Sequence, residues 1–347
     1  MSKASAASTH KHIRKIINTM KHQSVRFHKF GAPVDVLTYE TEEKLTPTPL
    51  KSGKVRVNIQ FSPINPADLN YIQGNYGIRP ELPAVPGVES SGVVTESSSK
   101  NVTVGDQVIF ITRVGTWQSE VICDGEEVII IPAIPAEQAA MLKVNPPTAL
   151  CLLENYVNLT AGDYIIQNAA NSGVGQCVIQ IAKILGIKTI NLVRREELIP
   201  ELLALGADHV LLDDESTVAK VREICGENLP KLACNAVGGD SALRLMDAIA
   251  EQGQHVTFGA MSMRSLKVPN KFLIFKRIQL HGLWVTKWIE ENDRSTVDAA
   301  YQRLANWVAE GKLNQAIDTT YKPENIIQAI THATEGNRSG KILLDFR

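Results

Sequence analysis

Charge of either sign is almost balanced out of this chain, with 36 Lys and Arg against 37 Asp and Glu and a formal net charge of −1. That excludes a general affinity for nucleic acid, which needs a dense basic surface. Long apolar runs are missing too. Prolines interrupt them, as in Ile131-Pro-Ala-Ile-Pro135, and none could span a bilayer. The five cysteines (Cys123, Cys151, Cys177, Cys225, Cys234) include no pair closer than nine residues. Neither zinc-ligand spacing nor a disulfide framework results, and a reducing compartment is the default. No Gly-x-Ser-x-Gly elbow exists, which argues against a hydrolase. The eight histidines form no catalytic pair by spacing.

The remaining composition, 44% apolar and 21% charged over 347 residues, is that of a soluble globular enzyme. Its length suits about two domains. The first 34 residues stand apart, with seven Lys or Arg, four His and no acid before Asp35. Ile13, Ile16, Ile17 and Met20 fall at helical spacing among basic residues. Residues 1–23 therefore match a mitochondrial presequence; a disordered basic tail or an arm touching a partner fits the same composition.

The most telling segment is Tyr164-Ile-Ile-Gln-Asn-Ala-Ala-Asn-Ser-Gly-Val-Gly175, followed by an amphipathic helix. It reads as a strand buried on both faces, then a turn of small residues, then a helix. Gly173 and Gly175 remove Cβ atoms that would hold a pyrophosphate away. Asn171, Ser172, Gly173, Val174 and Gly175 thus become candidate cofactor ligands, with the helix N-terminus turned to the phosphates. Ala170 and Ser172 replace the first two glycines of the usual fingerprint, so a turn that merely packs a helix on a sheet remains the alternative. The next strand ends in Arg194 and Arg195. An acid there would hold a ribose hydroxyl, whereas arginine suits a 2′-phosphate, which selects NADPH. Glu196 is read as the first turn of the following helix.

Before this segment, from about Val25 to Lys143, short strands and proline turns predict an irregular antiparallel β domain, partly a barrel. After it, strands near 164–167, 188–193, 209–212, 232–235, 254–258 and 279–285 alternate with helices, which predicts an α/β doubly wound parallel sheet. In such sheets the nicotinamide lies at the strand ends, here Phe258, Gly259, Ala260 and Met261, and then Leu283, Trp284 and Val285. A helix from about Ser295 to Glu310 and a final strand, Gly340–Asp345, complete the pattern.

Ile64-Asn-Pro-Ala-Asp68, Gln73-Gly-Asn-Tyr-Gly77, Gly115-Thr-Trp117, Val144-Asn-Pro146, Gln167–Gly175, Asn191-Leu-Val-Arg194, Leu273-Ile-Phe-Lys276 and Gly282-Leu-Trp284 carry a resemblance. Over about residues 24–347 the chain resembles the zinc-free medium-chain dehydrogenase/reductase superfamily, and within it the mitochondrial trans-2-enoyl-thioester reductases. The resemblance implies a Rossmann domain at 146–288 and a GroES-like β domain from 24–145 and 289–347. It also implies a homodimer, a place in the mitochondrial matrix and no metal. The zinc-dependent relatives carry a His-Glu pair where this chain has Pro86-Gly-Val-Glu89.

Reduction of a 2-enoyl thioester by hydride at the β-carbon leaves an enolate whose α-carbon needs a proton. Tyr76, between two glycines, suits that task, and the resemblance assigns the catalytic tyrosine to it; a packing or surface role is the competing reading. Asn65 and Asp68 are candidates to order Tyr76 or to cap a helix. The resemblance sets Asn145 and Lys341 near the cofactor, although a lysine leading into a final strand is usually solvated. Acyl-chain length should depend on packing among Phe61, Phe275 and Trp284. Arg264, Lys267, Lys271, Lys276 and Arg277 form an acid-free stretch suited to coenzyme A phosphates, an acidic acyl carrier protein or plain solvent. A quinone or enone oxidoreductase, or a non-enzymatic NADPH-binding protein, shares the same cofactor signals.

Overall fold

The computed structural model describes residues 20–44, 49–335 and 338–347. The expected presequence falls mostly outside them, but Met20–Phe27 is a strand, paired antiparallel with Leu37–Lys44. This strand starts four residues before Ser24, and Val25 and Phe27 anchor it in the core.

Six parallel strands form one sheet, in the order His209–Leu212, Lys188–Val193, Tyr164–Gln167, Leu232–Asn235, Gln254–Thr257, Gln279–Gly282. The order reverses at Tyr164–Gln167, the first strand in sequence, so the crevice beyond its carboxyl end is open to a ligand. Helix Gly173–Leu185 packs on this sheet through Cys177, Val178, Ile181 and Ala182, all fully buried. Each larger aliphatic side chain so placed contributes roughly 1.5–3 kcal/mol. Gly186 ends the helix in the left-handed conformation that glycine adopts without strain.

The second sheet runs Ile317–Tyr321, Lys341–Asp345, Lys54–Pro63, Ser91–Ser97, Gln107–Phe110, Val128–Ile130, with Glu120–Asp124 also on Lys54–Pro63. It is antiparallel except for Ile317–Tyr321 and Lys341–Asp345, which are parallel because helix Ile326–Thr334 crosses between them. Every strand pair between Lys54 and Ile130 is antiparallel, as the sequence predicts for that span, and the parallel pair is added by the C-terminal return segment. Long helix Arg294–Ala309 joins the two halves, with the Tyr301 hydroxyl donating to the Lys143 carbonyl at 2.9 Å.

Candidate active site

The turn after Tyr164–Gln167 is built for close approach. The Ser172 hydroxyl accepts from the Gly175 N–H at 3.2 Å and caps the helix. A Cβ on Gly175 would stand 2.5 Å from the Ala170 carbonyl oxygen, and one on Gly173 would stand 2.4 Å from Asn145 Nδ2. Only glycine permits either contact. Ala169 enters the turn at φ 47°, a strained setting for a residue with a side chain. The Ala170 N–H donates to the Leu192 carbonyl at 3.2 Å, which ties the turn to the strand leading into Arg194 and Arg195. Both arginines are exposed just past Val193, and Glu196 opens a short 3₁₀ turn as expected.

Asn145 is buried at the first position of helix Asn145–Glu154 rather than in a turn. Its Nδ2 donates to Gln315 Oε1 at 2.9 Å, and Gln315 Nε2 donates to the Met141 carbonyl at 2.8 Å. Gln315 had no signal in the sequence, since its partner lies 170 residues away.

Phe258 and Leu283–Val285 require small corrections. The strands stop at Thr257 and Gly282, although the Phe258 and Leu283 N–H groups extend the ladder to Asn235 and Thr257. Val285 already begins helix Val285–Glu291. Gly259 lies against the Ala236 carbonyl, and the Met261 N–H donates to that same oxygen at 2.9 Å. Ala260 and Met261 are exposed at this rim.

Tyr76 faces this rim from the other half. Helix Pro66–Gln73 ends at Gly74, whose φ of +77° turns the chain back, and Tyr76 follows, half-buried. Its ring meets Trp284 edge-on, centroids 5.8 Å apart, and Trp284 Nε1 donates to the Tyr76 hydroxyl at 3.0 Å. Gly77 leaves room for the indole, which comes within 3.1 Å of where a Cβ would sit. Sequence reading found both residues but not their contact. Arg113, which it missed, lies 5.2 Å from the Tyr76 ring centroid.

Asn65, Asp68, Glu89 and Lys341 form a buried polar knot behind this loop. Asn65 Nδ2 donates to Glu89 Oε1 at 2.8 Å, and the Val144 N–H donates to Glu89 Oε2 at 3.0 Å. Lys341 Nζ donates to Asn65 Oδ1, so this lysine is buried rather than solvated. Asn65 is the N-cap of helix Pro66–Gln73, and its N–H donates to Asp68 Oδ2 at 3.0 Å, the reciprocal half of a capping box. Burial pushes the Lys341 ammonium down and the Asp68 and Glu89 carboxyls up. Lys143 donates to the Val88 and Thr112 carbonyls at 2.8 and 2.6 Å, and burial lowers its pKa to about 7. Phe61 and Phe275 do not join Trp284. Phe61 is in the core beneath the Arg347 guanidinium, and Phe275 is 77% exposed.

Two family models match: an alcohol dehydrogenase GroES-like domain over residues 51–133 and a zinc-binding dehydrogenase over 173–310. The chain is 38% identical over 318 residues to the mitochondrial enoyl-[acyl-carrier-protein] reductase of Xenopus tropicalis, covering 88% of this chain and 89% of that protein. It belongs to this reductase family. A Caenorhabditis elegans family member is 41% identical, with 79% of this chain and 81% of that protein covered. Among solved structures, Etr1p with NADP and crotonyl-CoA superposes with a TM-score of 0.86 at 27% identity, covering 94% of this chain and 100% of that one. The Etr1p/Etr2p heterodimer of Candida tropicalis gives 0.85 at 28% with the same coverage. A Bacillus thuringiensis NADPH:quinone reductase structure also gives 0.86 at 27%, over 94% and 99% of the chains.

The donor set around Glu89 does not fit the zinc of the wider family's name. Both its oxygens are occupied by Asn65 and the Val144 N–H, and no group of three His, Cys, Asp or Glu able to hold a metal occurs among the described residues. The glycine turn, by contrast, fits a dinucleotide, because its two closest approaches are ones a side chain would block.

Proposed function

We infer that this protein is an NADPH-dependent 2-enoyl-thioester reductase. It converts trans-2-enoyl thioesters of coenzyme A or acyl carrier protein to saturated acyl thioesters in the mitochondrial matrix, as the last step of fatty-acid synthesis. The observation that carries this reading is the Tyr76 hydroxyl, held by Trp284 Nε1 at the rim of the nucleotide crevice. Bound NADPH supplies a hydride to the β-carbon.

The chain's own residues do the rest. Asn171–Gly175 hold the pyrophosphate, and Arg194 and Arg195 hold the 2′-phosphate. Phe258–Met261 and Leu283–Val285 wall the nicotinamide side, with Asn145 and Lys341 across from them. Tyr76 gives its hydroxyl proton to the α-carbon. Trp284 already donates to that oxygen, so the phenol's proton is directed elsewhere and the oxygen keeps an N–H donor after the proton leaves. These functions divide between a nucleotide domain, 146–288, and a catalytic domain, 24–145 with 289–347.

Following NADPH absorbance with crotonyl-CoA tests the reading. Tyr76→Phe should lower turnover by about 10²–10⁴-fold while leaving NADPH binding intact. Near-normal turnover would remove Tyr76 from the chemistry and favour a quinone reductase, for which the likeness to the bacterial quinone reductase is the specific support. Tight NADPH binding with no decay in the wild type would favour a binding protein.

Two copies of this chain pair through the nucleotide sheet in this reading. Gln279–Gly282 is an outer strand with one open edge, and Ile274, Phe275 and Leu280 are exposed beside it. Leu280→Lys should convert a dimer to a monomer in light scattering; an unchanged mass would place the interface elsewhere.

A further inference from the structure

Tyr76 lies on a short loop between two glycines, a setting with little intrinsic hold on a side chain. Trp284 touches one side of it. On another side stands the Arg113 guanidinium, 4.4 Å from the Tyr71 ring centroid and 5.2 Å from that of Tyr76. Both distances are within the range of cation–π attraction. Arg113 Nη1 is 3.7 Å from Asp68 Oδ1, and neither atom has a hydrogen-bond partner among the described residues. Asp68 balances the charge without drawing the guanidinium off the rings.

We propose that Arg113 is a positioning residue for Tyr76, its guanidinium forming with Trp284 a clamp that fixes the phenol toward the nicotinamide rim. This rests on Tyr76 as proton donor. Tyr71 and Asp68 are one turn apart on the helix that delivers Tyr76, so Arg113 is anchored to that helix at two points. Its neighbour Thr112 is held by Lys143, two residues before Asn145, which abuts the glycine turn. The clamp is therefore connected to the cofactor side through a continuous run of contacts.

The test is a double-mutant cycle on crotonyl-CoA with a spectroscopic arm. Arg113→Met should lower kcat by about fivefold to thirtyfold, with KM for NADPH within about twofold. Arg113→Lys, which keeps the cation, should restore most of the loss. In a Tyr76→Phe background Arg113→Met should have no further effect. In protein labelled with 3-fluorotyrosine, the ¹⁹F resonance that Tyr76→Phe removes should move in Arg113→Met and return in Arg113→Lys. A kcat within about twofold of wild type, an equal further loss in the Tyr76→Phe background, or an unmoved resonance would each overturn the proposal. If Arg113→Met leaves Asp68 too costly to bury, the Asp68→Asn/Arg113→Met pair is compared with Asp68→Asn alone. Wild-type protein with no turnover would defeat the reductase reading instead, while the ¹⁹F arm would still decide on Arg113.

Discussion

The nucleotide turn and the tyrosine loop use glycine in opposite ways. In the turn, Gly173 and Gly175 let backbone and side chains crowd together, and the helix cap that shapes the turn comes from Ser172 within it. Around Tyr76, Gly74 and Gly77 free the chain, and order is imposed from outside by Trp284 and Arg113. A binding site can be made locally from backbone N–H groups. Holding the Tyr76 hydroxyl takes contacts between distant segments, here 208 residues apart.

That contrast has breakable consequences. The largest concerns the sheet under the turn. The His255 ring, on Gln254–Thr257, is fully buried with no hydrogen-bond partner among the described residues, and burial drives its pKa down to about 4. The unfolded chain takes up a proton near pH 6.5 that the folded chain refuses until about pH 4. Its favourable contribution is therefore complete above pH 6.5 and disappears as pH falls through that window, amounting to about 3 kcal/mol. The raised carboxyls of Asp68 and Glu89 act in the opposite sense, so the measurement is the difference between wild type and His255→Leu in denaturant titrations from pH 7 to 4. Parallel stability curves would show that this strand is not the acid-sensitive part.

Next comes the cofactor side. Arg194→Gln should weaken NADPH binding by about tenfold to hundredfold and leave NADH nearly unchanged, as loss of a charge-assisted phosphate contact requires. Equal losses for both cofactors would mean that the arginine supports the fold rather than reading the phosphate. The smallest effect is expected at Trp284→Phe. An aromatic edge survives there but the Nε1–H is lost, so kcat should fall by less than about tenfold. No change at all would leave Arg113 as the sole restraint on Tyr76.

Legibility in the sequence follows the same division. The six parallel strands could be read from their regular alternation with helices, and Tyr164–Gln167 with Gly173–Leu185 form from neighbours alone. Asn145, Tyr76, Trp284 and Lys341 could be named, but not why they are fixed, since Gln315, Arg113 and Glu89 act across the fold. Lys341 is the clearest case. A lysine beside a terminal strand belongs in water unless a buried acceptor awaits it, and Asn65, 276 positions earlier, is that acceptor. Phe275, named with Phe61 and Trp284 as a determinant of acyl-chain length, is exposed and apart from both in the single chain.

The last strand, Lys341–Asp345, is not at the border of its sheet but between Ile317–Tyr321 and Lys54–Pro63. That slot is filled by a segment lying beyond the whole nucleotide sheet in the chain, so the two halves are stitched together rather than strung end to end. Deleting Lys341–Asp345 would open a gap between Ile317–Tyr321 and Lys54–Pro63 instead of trimming an edge.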